Sequence, residues 1–109
     1  MDSEKEIEQY LRERIRELGG RAYKFVSPGN NGVPDRIVMI NGQAYFTEMK
    51  RPGGVLSKNQ ILQLKRLRGL GMPAGVLGSR EDVDAFLSCL GSPQETRAYL
   101  ERQAEKYGV

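Results

Sequence analysis

The chain has 109 residues, 39% of them apolar, 28% charged and 7% aromatic with no Trp, which suits one small globular domain and excludes two independent cores, a disordered chain or a collagen-like one. Seventeen Lys and Arg against fourteen Asp and Glu give +3, a mild lean toward a polyanion, while a single cysteine (Cys89) and no His exclude an internal disulfide, a Ser-His-Asp triad and a His-containing zinc site. No uncharged stretch is longer than 69–79, far short of the roughly 20 residues of a membrane span, and Met1-Asp2-Ser3-Glu4 is no secretory leader, so no membrane association and a cytoplasmic protein are expected.

Ile7, Leu11, Ile15 and Leu18 predict an amphipathic helix over 3–18, with acids early and arginines late, stopped by Gly19-Gly20. A first strand follows over 21–26, then a loop over 27–32. Residues 36–40 form an unbroken apolar run after Arg36 and read as a central strand covered on both faces. Asn41-Gly42 is a two-residue hairpin signal, leading into a third strand over 43–50 that Arg51-Pro52-Gly53-Gly54 ends. Ser57 is the expected N-cap of a second helix to about residue 70, with Ile61, Leu64, Leu67 and Leu70 inward. A short buried strand over 74–78 and a third helix over 80–90, capped by Ser79, complete an αβββαβα order. Beyond Gly91-Ser92-Pro93, residues 94–107 have only Tyr99, Leu100 and Tyr107 as large apolar groups and predict a peripheral helix.

A type I′ turn at Asn41-Gly42 pairs Ile40 with Gln43, Met39 with Ala44 and Ile37 with Phe46, so Asp35 stands opposite Glu48. Two carboxylates about 5 Å apart at an effective dielectric near 20 repel by about 3 kcal/mol. Such a pair persists if one acid is protonated, if it faces water, or if a cation lies between. Alternation puts Lys50 on the same side, diagonal to Asp35. A hard divalent cation, Mg²⁺ or Mn²⁺, uses few carboxylates and is what these acids could hold. Taken singly, Asp35 also reads as a turn residue, and Glu48 and Lys50 as a solvated strand end. On the first helix, Glu4 projects into the apolar sector, Glu8 onto its edge and Glu6 away; an ordinary first-turn acid explains Glu4 equally well. Gln60 could reach the same cluster or face water.

Gly32-Val33-Pro34-Asp35-Arg36, Phe46-Thr47-Glu48-Met49-Lys50-Arg51-Pro52-Gly53 and Leu56-Ser57-Lys58-Asn59-Gln60 together resemble the VRR-NUC domain, a branch of the PD-(D/E)XK nuclease superfamily. The resemblance spans about residues 4–80 and is to the small stand-alone forms of bacteria and phages. It implies a restriction-endonuclease-like α/β fold: an αβββαβ core with a mixed sheet flanked by helices, placed over 1–90, and a helical extension over 91–109. It also implies a homodimeric, Mg²⁺- or Mn²⁺-dependent DNA endonuclease able to cut four-way junctions, with no organic cofactor, in a bacterial cytoplasm or that of a phage host. Asp35 and Glu48 match the metal-binding acids, with the Met49 carbonyl as a further ligand. Lys50 matches the catalytic lysine, Gln60 the glutamine after the third strand, and Glu4 the helix-one acid, with Glu8 one turn away. Lys24, Arg36, Arg51 and Lys58 lie at strand or loop ends around the cluster and are candidates for gripping phosphates, or ordinary surface cations. A catalytically silent nucleic-acid-binding or scaffold domain is the competing expectation.

Overall fold

A computed structural model describes residues 1–109. Helix α1 (Glu4–Glu17) leads into strands β1 (Arg21–Lys24), β2 (Arg36–Ile40) and β3 (Gln43–Met49). Helix α2 (Lys58–Gly69), strand β4 (Ala74–Leu77) and helices α3 (Arg80–Cys89) and α4 (Pro93–Lys106) follow. The sheet runs β1-β2-β3-β4, antiparallel except for the parallel β3–β4 pair, so it is mixed, as expected. No helix is long and apolar enough to cross a membrane.

Local chemistry sets these boundaries. Ser3 and Ser57 each cap a helix through a reciprocal box, with Glu6 and Gln60 returning the hydrogen bond. Asn41 and Gly42 both take positive φ, 53° and 75°, the signature of a I′ turn. The β2–β3 register then follows: Ile40 opposite Gln43, Met39 opposite Ala44, Ile37 opposite Phe46. Strand β1 ends two residues earlier than its composition predicts, although the Phe25 N–H still donates to the Asp35 carbonyl (2.8 Å).

The principal core lies on one face of the sheet. Ile7, Leu11 and Ile15 of α1 pack with Val38, Ile40, Tyr45 and Met49, and with Val83, Phe86 and Leu100 from α3 and α4. The other face is thinner: Leu64 of α2 covers Ala74 and Val76, with Phe46 and Leu67 partly buried beside them. Helix α2 lies mainly over β4 and leaves part of β2 uncovered. The expectation that β2 is covered on both faces therefore fails, for Val38 and Ile40 are buried while Met39 is 44% exposed. Leu70, expected inward, is also exposed.

Helix α4 is not peripheral. Leu100, Ala104 and Thr96 are fully buried, and Gln103 nearly so. A Cβ on Gly75 would lie 2.2 Å from the Leu100 carbonyl oxygen, so the bare glycine backbone is what lets α4 seat on β4. The Thr96 hydroxyl sits between the carbonyls of Cys89 (2.7 Å) and Ser92 (2.9 Å), and the Tyr99 hydroxyl donates to that of Asp82 (3.1 Å).

Candidate active site

At one end of the sheet β3 finishes, β2 begins and the N-termini of α1 and α2 arrive. The β2–β3 ladder closes at Arg36 opposite Thr47, and the next positions outward are Asp35 and Glu48. One step further, Pro34 stands across from Met49. Proline has no N–H to give the Met49 carbonyl, and the Met49 N–H donates instead to Asp35 Oδ2 (2.8 Å). The chain thus turns the Asp35 carboxylate onto the end of β3 and leaves the Met49 carbonyl without a cross-strand donor. The Met49 side chain itself is fully buried in the core.

Glu48 is 2% exposed. Its Oε2 accepts from Gln60 Nε2 at 3.0 Å and stands 3.8 Å from Lys50 Nζ. Gln60 Oε1 is occupied by the Ser57 N–H (2.9 Å), so the capping box itself turns the amide group of Gln60 toward Glu48. A glutamate at position 60 would close the same box but set a like charge against Glu48. Lys50 Nζ also lies 3.9 Å from Glu4 Oε1. The ammonium is thus shared between two acids at distances too long for strong hydrogen bonds.

Burial, reinforced by the neighbouring Asp35 charge and only partly offset by Lys50, pushes the Glu48 carboxyl up to about 9. Burial likewise raises Asp35, against the pull of the Met49 N–H and with the Glu8 charge adding to the rise. Two carboxyls that resist ionisation together, beside a free backbone carbonyl, form an oxygen donor set that a hard divalent cation would relieve. No group of three or more His, Cys, Asp or Glu forms a cage, so the donor set comprises the acid pair and main chain.

The structure brings Asp35, Glu48, Lys50, Gln60 and Glu4 to this one end. Glu8 contributes differently: its Oε1 binds Arg36 Nε at 2.7 Å, and Arg36 Nη1 reaches the Ala22 carbonyl (3.2 Å). Arg36, a candidate phosphate contact in the sequence, is therefore committed within the fold, its side chain only 13% exposed. Lys24, Arg51 and Lys58 are exposed. Gly32 entered the sequence reading only as part of the Gly32-Val33-Pro34-Asp35-Arg36 motif, and its structural role was missed. It has φ +89°, and a Cβ there would fall 2.5 Å from the Asn59 carbonyl carbon. The 27–32 loop thus seats on the first turn of α2, one residue before Gln60, and the Gln63 amide donates to the Asn31 carbonyl (3.4 Å). The visible signal was a glycine two residues before Pro34.

Three comparisons identify the class of domain to which this mixed sheet and its flanking helices belong, a nuclease domain. The VRR-NUC domain profile matches residues 2–81. A protein described as "Putative nuclease p44" from Acyrthosiphon pisum secondary endosymbiont phage 1 is 46% identical over 85 residues, covering 77% of this chain and 90% of that protein. A solved structure described as "VRR_NUC domain" superposes with a TM-score of 0.73 at 30% identity, covering 78% of this chain and 94% of its own. The chain belongs to the VRR-NUC domain family.

Proposed function

We propose that this chain is a divalent-metal-dependent DNA endonuclease that hydrolyses phosphodiester bonds and selects its substrate by shape, resolving four-way junctions as a homodimer. The observation that carries the reading is the opposed pair Asp35 and Glu48, the latter buried and held near 9 when no cation neutralises it. Asp35, Glu48 and the Met49 carbonyl would hold Mg²⁺ or Mn²⁺. A divalent cation there supplies Lewis-acid stabilisation of the negative charge that grows on the phosphate.

The chain's own residues supply the rest. Gln60 fixes the rotamer of Glu48 through its amide and keeps one carboxylate oxygen turned inward. Lys50, between Glu4 and Glu48, orients the attacking water as the ammonium or, as the neutral amine, takes its proton, and in its charged form it offsets the negative charge growing on the phosphate oxygens. Glu4 restrains the Lys50 ammonium from the solvent side. Lys24, Arg51 and Lys58 contact backbone phosphates, while the Arg36–Glu8 pair ties α1 to the strand that carries Asp35. Paired incisions across a branch need two sites related by a two-fold axis, which a dimer provides. A cytoplasmic setting fits such a substrate.

The test uses end-labelled four-way junctions, flaps and linear duplexes with Mg²⁺, Mn²⁺ or EDTA. Metal-dependent cleavage favouring the junction and lost in Lys50→Ala supports the reading; equal residual product from wild type and Lys50→Ala refutes it. Sedimentation of the free protein as a monomer at assay concentration refutes the dimer.

A further inference from the structure

A hollow of about 320 Å³ opens between α1 and β1, lined by Gln9, Arg12, Glu13, Arg16, Arg21 and Ala22. Three arginines, Arg12, Arg16 and Arg21, line it, and no salt bridge holds any of them, whereas Arg14, Arg36, Arg68 and Arg80 each pair with a carboxylate; Arg51, Arg66, Arg97 and Arg102 are likewise unpaired but do not line this hollow. The one acid of the hollow, Glu13, accepts instead from the Gln9 amide (2.9 Å). Arg21 Nη1 donates to the neighbouring Gly20 carbonyl (2.7 Å), which restrains the guanidinium before any ligand arrives. Planar guanidinium forks set around a concavity match the oxygens of a phosphodiester better than lysine ammoniums would.

One wall of the hollow is tied to the acid cluster through Arg36. Arg36, next to Asp35, bonds the Glu8 carboxylate on one side and the Ala22 carbonyl on the other, and Ala22 belongs to the wall of the hollow. At 1.5 Å of rise per residue, Arg12 and Arg16 lie about 6 and 12 Å further along α1 than Glu8. That is a short step along a nucleic-acid strand.

We infer that the α1–β1 hollow is a backbone-phosphate site, in which Arg12, Arg16 and Arg21 grip the DNA strand on the flank of the incision. The inference rests on DNA as the substrate but not on catalysis. It assigns to α1 a binding role distinct from the acid it lends to the catalytic end, and it supplies affinity without base readout.

Fluorescence anisotropy with a labelled duplex and a labelled four-way junction, in EDTA so that nothing is cut, tests it across a salt series. Arg16→Ala/Arg21→Ala is compared with Arg66→Ala/Arg102→Ala, which removes the same charge from exposed positions on α2 and α4. Loss of the two phosphate contacts lowers the slope of log K against log salt by about 1.8 and weakens binding about tenfold or more at low salt. The control pair leaves both near wild type. A wild-type slope in the hollow variant, or an equal fall in the control, overturns the site. Melting temperature and Mn²⁺ uptake by the hollow variant stay at wild-type values; a loss of either would place these arginines in the fold and overturn the assignment. Should wild type bind DNA yet never cut it, with the slope still falling in the hollow variant, the nuclease reading fails and the phosphate site stands.

Discussion

Replacing Glu48 by Gln should stabilise the metal-free protein while disabling it. Folding raises the Glu48 carboxyl from 4.5 to about 9. Below 4.5 both folded and unfolded chains are protonated there and burial has no ionic penalty. Between the two values the unfolded chain releases a proton that the folded chain retains, so stability falls as pH rises and levels off above about 9. At 1.36 kcal/mol per unit, the loss is about 3 kcal/mol by pH 7. A glutamine carries no such penalty and its amide oxygen can still accept from Gln60 Nε2. Glu48→Gln should therefore gain about 3 kcal/mol at pH 7 in EDTA, on the order of 10 °C or more in Tm, and gain nothing at pH 4. With free Mn²⁺ at 100 times Kd, wild type alone should recover about 2.7 kcal/mol. Thermal and urea melts followed by circular dichroism from pH 4 to 9, with EDTA or Mn²⁺, measure all of this. A Glu48→Gln protein that is less stable at pH 7, or a difference from wild type that does not vary with pH, would refute the reasoning.

Lys50→Ala should lower cleavage by at least about 100-fold without lowering Mn²⁺ affinity, a separation that cleavage rates and calorimetry read directly. Gly32→Ala must displace the Asn59 carbonyl that a Cβ would meet at 2.5 Å, and with it Gln60; Mn²⁺ affinity should fall about tenfold or more. Gly29→Ala has a similar φ, +82°, but open space around it, so it should show only the backbone penalty of about 1–2 kcal/mol in denaturant melts and unchanged Mn²⁺ affinity. Gly75→Ala should cost about 3 kcal/mol by pushing α4 off β4, whereas Gly91→Ala, with nothing near its Cβ, should leave the urea midpoint within error of wild type.

The acid pair was legible because one dipeptide settles a whole register. Asn41-Gly42 allows only a tight turn, which fixes the β2–β3 register from Ile40–Gln43 to Arg36–Thr47, and Asp35 and Glu48 are the next residues outward. The helix caps were equally visible, since Ser57 and Gln60 stand at capping-box spacing. That the same Gln60 amide reaches Glu48 was open, because it depends on how α2 lies against the sheet. The Arg36–Glu8 pair joins residues far apart in the chain, and Arg36 seen alone looked like a free cation. Helix α4 misled for a different reason: its buried face is made of Thr96, Gln103 and Ala104 beside Leu100, and small or polar residues leave little trace in a hydrophobic pattern. Its seat, Gly75, read only as one residue of the short buried strand over 74–78. Met39 shows the converse, an apolar residue in an apolar run that the short α2 leaves uncovered.

The most direct test of a shared cation between Asp35 and Glu48 is calorimetric titration of the protein with Mn²⁺ at pH 7 in buffers of different ionisation enthalpy. Uptake should be accompanied by release of about one proton per ion, as Glu48 gives up the proton that burial had kept on it, and both uptake and release should vanish in Glu48→Gln. Mn²⁺ binding unchanged in Glu48→Gln, or binding with no proton released, would contradict it.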